Sequence, residues 1–181
     1  FLRAGPAYGG SCFPKDTRAI VDTAKEFKTD LSIIKNVIKS NENRSKILFN
    51  RVSKLLKNKL KNKKITFLGV TFKANTDDMR ESSSLIMIPS LISKGAKIKY
   101  YDPSGYKKDF DKFKNVSFSQ NIKAACLDAD MIIIHTEWND FKALNFKTLS
   151  RKKNDIDYDM RNILSPGKMK KDKINYFGIG R

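Results

Sequence analysis

The sequence predicts an α/β protein in which a helical segment precedes a parallel β-sheet. Residues 16–61 carry apolar side chains at spacings of three and four, the period of an amphipathic helix. From residue 64 onward, short apolar runs alternate with helical patterns, as in sheets whose parallel strands are joined by crossover helices. We therefore expect two regions, a loop and helical region over residues 1–63 and a Rossmann-like sheet domain over residues 64–181.

The individual elements follow from the same patterns and from the positions of Gly and Pro. Residues 1–15 are rich in both and predict a loop, and two helices follow, with Asp30 as the N-cap of the second. Strands are predicted over Ile65–Val70, Lys97–Tyr101, Met131–His135, Asp155–Asp159 and Ile174–Phe177. Helices are predicted over Ser83–Ser93, with Ser82 or Ser83 as the cap, and over Ile122–Leu127.

Composition narrows the class of function. The 181 residues carry a net charge of +18, which favours anionic partners. No helix-turn-helix, zinc-finger or RNP pattern is present, so an anionic small molecule is favoured over nucleic acid. The sequence has no apolar stretch long enough to cross a bilayer and does not begin with a signal peptide or a Met. We expect no membrane partner, a cytoplasmic location, and a chain that begins within a longer protein.

The residues around Cys12 are suited to an activated thiol. Gly9, Gly10 and Ser11 precede it, and Pro14 favours the first turn of a helix. The thiol would then lie at a helix N-terminus, where free N–H groups stabilise a thiolate. Lys15 adds a positive charge, and Asp16 is spaced to orient water or accept a proton. This pattern predicts that Cys12 is a nucleophile.

The other candidate residues for a metal site or for catalysis are fewer. Cys126 lies in an apolar helical stretch and predicts a packing role. His135, the single histidine, ends an apolar strand, so a core or edge role is favoured over catalysis. With one histidine and two separated cysteines, we expect no metal site.

A second polar cluster follows the first predicted strand, where ligands of parallel sheets bind. Lys73 and Arg80 supply two cations suited to a diphosphate. Asp77 and Asp78 can pair with these cations, so a structural salt-bridge loop is the alternative, and spacing does not decide between them. The turn Gly69–Lys73 lacks the Gly-x-Gly-x-x-Gly pattern and predicts a poor dinucleotide site.

These two clusters carry a resemblance to a known family. Gly9–Asp16 resembles the catalytic-cysteine signature of UDP-glucose 6-dehydrogenases, and Phe72–Ser82 resembles the UDP-binding domain of those enzymes. Three further segments are similar to that domain: Tyr101–Pro103, Thr136–Phe141 and Asp159–Asn162. Tyr8 stands where many members have Phe, a change that keeps an aromatic ring. The chain thus resembles the C-terminal part of a member of the UDP-glucose/GDP-mannose dehydrogenase family, without its NAD-binding domain.

The resemblance implies roles for particular residues. Cys12 would attack the aldehyde formed at the sugar and later carry a thioester, and Asp16 would help activate the hydrolytic water. The UDP-sugar would be contacted by Phe1, Leu2, Arg3, Tyr8, Gly9, Phe72, Lys73 and Arg161. Lys15 and Arg80 would reach NAD, which is bound mainly by the absent domain. The helices after Asp16 would form a homodimer.

The implied reaction is oxidation of UDP-glucose to UDP-glucuronate with two NAD molecules. Because most of the family's sugar contacts lie outside this chain, GDP-mannose and UDP-N-acetylhexosamine remain alternative substrates. A basic nucleic-acid-binding module remains the alternative from a different class, and it predicts salt-sensitive binding. Without a dinucleotide site, the chain alone is expected to be inactive.

Overall fold

The computed structural model describes residues 5–149, 152 and 155–180. Within these residues the helices are α1 (Phe13–Glu26), α2 (Ser32–Leu55), α3 (Ser84–Ser93), α4 (Ile122–Cys126), α5 (Asn139–Lys142) and α6 (Pro166–Lys171). The strands are β1 (Lys64–Leu68), β2 (Lys97–Tyr101), β3 (Val116–Phe118), β4 (Met131–Ile134), β5 (Ile156–Asp159) and β6 (Tyr176–Gly178). Two short 3-10 helices cover Lys108–Phe110 and Phe146–Thr148.

The strands form one sheet in the order β3-β2-β1-β4-β5-β6, and every pair is parallel. Phe67 of β1 lies opposite Tyr100 of β2 on one side and Ile133 of β4 on the other. This is the strand order of a doubly wound nucleotide-binding sheet, so the predicted Rossmann-like α/β fold is confirmed. The chain direction across the sheet reverses between β1 and β4, which places a crevice beyond their carboxyl ends.

Two apolar cores cover the two faces of the sheet. Ile133 of β4 belongs to the first core, together with Leu48 and Val52 of α2 and residues of α3. Ile132 and Ile134 of β4 point to the second core, which α4, α5 and α6 cover. A strand that is buried on both faces needs the unbroken apolar run that β4 has. The C-terminal half of α2 therefore packs on the sheet, while its N-terminal half extends towards the crevice.

The structure corrects one boundary and adds a strand. α2 begins at Ser32 with Leu31 in the capping position, so the prediction of Asp30 as the cap is wrong. The helix starts one residue beyond the point where Asp30 could cap it, and the Asp30 carboxylate instead lies 3.8 Å from Lys35 Nζ. β3 was not predicted because a three-residue strand carries too little pattern. The domain division at residue 63 stays a prediction.

The described part of the chain contains no helix with the length and apolar character needed to cross a membrane.

Asp157 of β5 is a buried carboxyl group that makes stability depend on pH. Its Oδ1 atom has no hydrogen-bond partner among the described residues. Burial, assisted by the negative charges of Asp155 and Asp159, raises the pKa of Asp157 from 3.8 to about 8. Between about pH 4 and about pH 8 the folded chain therefore keeps a proton on Asp157 that the unfolded chain releases. The free energy of unfolding falls as the pH rises through this range.

We expect Asp157→Asn to raise the melting temperature more at pH 8 than at pH 5, because asparagine stays neutral at both values. Thermal unfolding followed by circular dichroism at the two pH values measures this difference. Asp128→Asn, which changes an exposed carboxylate, is the matched control. An equal shift for Asp157→Asn at both pH values would contradict the assignment of a buried, protonated carboxyl group.

Candidate functional site

A cleft of about 1150 Å³ lies beyond the carboxyl ends of β1 and β4. One wall is the loop before α1 and the start of that helix, and a second wall is the N-terminal half of α2. The third wall is the loop after β1, joined by Glu137 from the loop after β4 and Arg161 from the loop after β5. The cleft therefore occupies the position that the sheet order predicts for a ligand.

Cys12 lies in this cleft at the N-terminus of α1. It is exposed and occupies the capping position, and Pro14 lies in the first turn. The backbone N–H of Asp16 donates to the carbonyl oxygen of Cys12 at 2.8 Å, which is the first hydrogen bond of the helix. The Cys12 Sγ atom is 3.6 Å from Ser11 Oγ. The predicted placement of the thiol at a helix N-terminus is what the structure shows.

Two glycines let the cysteine loop pack directly on the loop after β1. A Cβ atom on Gly9 would lie 2.4 Å from the carbonyl oxygen of Glu81. Gly10 has φ +86°, and a Cβ atom on it would lie 2.8 Å from the ring of Phe72. The N–H of Gly10 donates to the carbonyl oxygen of Arg80 at 2.8 Å. Only residues without a Cβ atom allow this approach.

The opposite side of the cysteine loop is held by α2. The Asn41 side chain accepts a hydrogen bond from Tyr8 N at 2.9 Å and donates one to Tyr8 O at 3.1 Å. Arg44 donates to the carbonyl oxygens of Pro6 and Gly5 at 3.2 and 3.4 Å. Sequence reasoning missed both α2 residues. The available signal was their spacing of three, which places two polar side chains on one face of a helix.

An ion pair joins α1 to the same loop. Arg18 donates to both carboxylate oxygens of Glu81 at 3.0 and 3.4 Å, and these contacts raise the pKa of the guanidinium. Both side chains are about half exposed, so the pair contributes at most about 1 kcal/mol. The pair links α1, which begins directly after Cys12, to the loop after β1.

The two predicted cations of that loop differ in their partners. Arg80 donates to both oxygens of Asp78 at 3.0 and 2.9 Å, and this contact lowers the pKa of the Asp78 carboxyl. Lys73 forms no ion pair within the described part of the chain, and its Nζ atom lies 5.4 Å from the centroid of the Phe72 ring. Arg80 thus fits the salt-bridge alternative, whereas Lys73 is exposed in the cleft and available to an anion.

Arg161 forms the floor of the cleft and is only 9% exposed. Its Nε atom donates to the carbonyl oxygen of His135 at 3.0 Å, and one terminal nitrogen donates to that of Phe72 at 2.7 Å. The other terminal nitrogen lies 3.4 Å from Glu137 Oε2. Burial lowers the pKa of Arg161, and the charge of Glu137 partly opposes that effect. Arg161 joins the three loops that meet at the site.

Of the nine predicted site residues that the structure describes, six line the cleft. Those that line the cleft are Tyr8, Gly9, Cys12, Phe72, Lys73 and Arg161. Asp16, Lys15 and Arg80 lie outside its walls, and the exposed Asp16 carboxylate is 3.4 Å from Lys15 Nζ. Phe1, Leu2 and Arg3 fall outside the described residues. The catalytic and binding roles of all these residues stay predictions.

The turn after β1 does not fit NAD. In a dinucleotide site the backbone N–H groups of this turn face the pyrophosphate. Here the buried Asp102 carboxylate accepts from Val70 N at 2.7 Å and Thr71 N at 3.3 Å. Gly69 is needed for a different contact, because a Cβ atom on it would lie 2.4 Å from Thr136 Cβ. The groups that would bind a pyrophosphate are already occupied within the protein.

Comparison with known proteins identifies the family of the chain. The UDP-binding domain of the UDP-glucose/GDP-mannose dehydrogenase family matches residues 66–166, and the central domain of that family matches residues 1–43. The chain belongs to the UDP-glucose/GDP-mannose dehydrogenase family. The central-domain match contains Cys12, and the UDP-binding match contains Phe72, Lys73 and Arg161.

Relatives within the family are longer than this chain. The UDP-glucose 6-dehydrogenase of Rhizobium meliloti is 38% identical over 100% of the chain, which spans 42% of that protein. A UDP-glucose dehydrogenase structure from Pyrobaculum islandicum has a TM-score of 0.78 and 29% identity, covering 96% of this chain and 38% of its own. An NDP-N-acetyl-D-galactosaminuronic acid dehydrogenase from Methanosarcina mazei has a TM-score of 0.84 and 26% identity, covering 98% and 39%.

Gly9→Ala tests the close approach of the two loops. We expect the substitution to lower the free energy of unfolding by about 1–3 kcal/mol, because the new methyl group overlaps the Glu81 carbonyl oxygen. Urea unfolding of the chain measures the change. The control is Gly167→Ala in α6, where the nearest atom to an added Cβ is 3.9 Å away. If Gly9→Ala were as stable as the unsubstituted chain, the described loop contact would be wrong.

Proposed function

We propose that this chain is the cysteine-bearing and UDP-binding part of a nucleotide-sugar 6-dehydrogenase that oxidises UDP-glucose to UDP-glucuronate. The observation that carries the proposal is a single cleft in which Cys12, Lys73 and Arg161 are all wall residues. A thiol nucleophile and an anion-binding cation in one cleft suit covalent chemistry on a phosphorylated substrate. The relatives named UDP-glucose 6-dehydrogenase support the choice of substrate.

The diphosphate would lie beside Lys73. That side chain is a cation of the cleft that forms no ion pair with a carboxylate among the described residues, and a diphosphate would supply an anionic partner. The ring of Phe72 lies beside Lys73 and lines the cleft, and Arg161 donates a hydrogen bond to the carbonyl oxygen of Phe72. The sugar would then extend towards Tyr8, Gly9 and Cys12. Phe1, Leu2 and Arg3, which fall outside the described residues, are proposed to contact the sugar as well.

Cys12 would hold the substrate between two oxidation steps. Its thiolate adds to the C6 aldehyde and gives a thiohemiacetal, which becomes a thioester after loss of a hydride and a proton. Water then cleaves the thioester, which releases the carboxylate product and restores the thiol. Asp16 lies one helical turn after Cys12 and would help activate that water. NAD, held mainly by the remainder of the enzyme, would accept the hydrides.

Lys15 and Arg80 would face the cofactor from outside the cleft. Both are exposed, and Arg80 donates to both carboxylate oxygens of Asp78. Cations at this position suit the pyrophosphate of a dinucleotide. Because the turn after β1 is occupied by Asp102, we expect the chain alone to be inactive.

Two aspects of the proposal go beyond the cleft. α1, its C-capping residue Phe27 and α2 expose apolar side chains that would suit burial in a homodimer: Ile20, Phe27, Ile33 and Ile47. The cytoplasm is the proposed location, because nucleotide sugars and NAD are found there.

Most sugar contacts lie outside this chain, so oxidation of GDP-mannose or a UDP-N-acetylhexosamine alone by the full-length protein would overturn the choice of UDP-glucose.

Titration of the chain with UDP tests the proposed binding site. We expect UDP to bind, and Lys73→Met to weaken binding by roughly tenfold or more, because a charge-assisted contact to phosphate is lost. Isothermal titration calorimetry measures both affinities. Lys94→Met is the matched control, since Lys94 lies at the C-terminal end of α3.

Two results would count against the site. UDP affinity that is unchanged in Lys73→Met would remove the diphosphate from the proposed position. An absence of UDP binding, together with tight binding of duplex or single-stranded nucleic acid that weakens steeply with salt, would favour the nucleic-acid-binding alternative.

A further inference from the structure

His135 lies directly behind the cleft and is fully buried. It follows β4, and its ring has a hydrogen-bond partner on each nitrogen. Nε2 is 2.8 Å from the hydroxyl oxygen of Ser83, and Nδ1 is 3.1 Å from the hydroxyl oxygen of Thr136. His135 is not among the residues that line the cleft, so its ring would act on a ligand through these two neighbours.

The positions of three oxygen atoms determine which ring nitrogen carries the proton. Thr136 Oγ1 lies 2.7 Å from the carbonyl oxygen of Thr71. A carbonyl oxygen only accepts, so the single hydroxyl proton of Thr136 must point to Thr71. Thr136 Oγ1 can then only accept from the ring, and Nδ1 must carry a proton. In the neutral ring Nε2 carries none and accepts from the hydroxyl of Ser83.

The neutral form of the ring suits its surroundings. Among the described residues His135 has no acidic partner, and the charge that acts on it is that of the Arg161 guanidinium. Burial, together with that positive charge, lowers the pKa of His135 from 6.5 to about 3. Protonation of Nε2 would also turn the Ser83 hydroxyl from donor into acceptor. The sequence of donors therefore runs in one direction, from Ser83 through His135 and Thr136 to the carbonyl of Thr71.

Two features of the surrounding loops accommodate this series of hydrogen bonds. Ser83 occupies the capping position of α3, but its side chain makes no capping hydrogen bond and contacts His135 instead. Gly69 has no side chain, and any Cβ atom there would lie 2.4 Å from Thr136 Cβ. α3 therefore lacks the usual side-chain cap because Ser83 donates to His135 instead, and the residue after β1 is a glycine because Thr136 lies against it.

We propose that His135 is a positioning residue of the UDP-binding cleft, a neutral ring protonated on Nδ1 that fixes the carbonyl of Thr71 and thereby the following Phe72–Lys73 segment. The role rests on the proposed function, because that segment is where the diphosphate would bind. Arg161 completes the arrangement by donating to the carbonyl oxygens of both His135 and Phe72. The ring itself touches neither substrate nor cofactor.

Nitrogen NMR of the native chain reads the proton position directly. The chain has one histidine, so labelling with ¹⁵N-histidine gives a single set of ring signals. We expect the pattern of the neutral ring protonated on Nδ1, unchanged between about pH 5 and pH 8, where an exposed histidine would titrate. A ring protonated on Nε2, or titration within that range, would overturn the proposal.

A second experiment tests whether the hydrogen-bonded chain positions the ligand site. Thr136→Val removes the hydroxyl and keeps the shape, and Thr136→Ser restores a hydroxyl as the matched control. We expect Thr136→Val to weaken UDP binding by roughly fivefold or more, measured by calorimetry on folded protein, and Thr136→Ser to bind like the native chain. Ser83→Ala, which removes the donor to Nε2, should weaken UDP binding in the same direction.

The outcomes separate this proposal from the proposed function. UDP binding by the native chain reports on the function, whereas the ratio of variant to native affinity reports on the positioning role. Native affinity in folded Thr136→Val and Ser83→Ala would overturn the role even if UDP binds. Should Thr136→Val fail to fold, Ser83→Ala and the NMR pattern of the native chain still decide the matter.

Discussion

The approach of the cysteine loop to the loop after β1 is the constraint on which the site depends. Gly9 and Gly10 allow two backbone segments to meet at a distance that any side chain would prevent. This contact brings a thiol from before α1 and a lysine from after β1 into one cleft. Asn41 and Arg44 hold the loop from its other side, so α2 serves both the sheet core and the site.

The loop after β1 differs from the corresponding turn of a dinucleotide-binding sheet in how its backbone groups are used. Asp102 occupies the backbone N–H groups of Val70 and Thr71, and Thr136 and Arg161 occupy the carbonyl groups of Thr71 and Phe72. The backbone of the loop is therefore used within the protein, and the cleft presents side chains instead. A lysine and an aromatic ring can bind a nucleoside diphosphate without a glycine-rich turn.

Much of the fold followed from the sequence, and so did part of the site. The apolar run of β4 and the change of period near residue 64 identify a parallel sheet, whereas β3 is too short to produce a pattern. Cys12 and Lys73 stand out by their neighbours in the chain. Asn41 and His135 do not, because their importance comes from hydrogen bonds to residues distant in sequence. The pairing of Arg80 with Asp78 was also undecided, since spacing cannot show which of two cations stays free.

The most direct test of the shared cleft is the rate at which iodoacetamide alkylates Cys12 with and without UDP-glucose. Cys12 is exposed and Cys126 is buried, so mass spectrometry should find modification at Cys12, with Cys126 as the internal control. If thiol and diphosphate sites belong to one cleft, saturating UDP-glucose will slow alkylation several-fold. Binding of UDP-glucose with no change in the alkylation rate would contradict the account, because the ligand would then lie away from the sulfur.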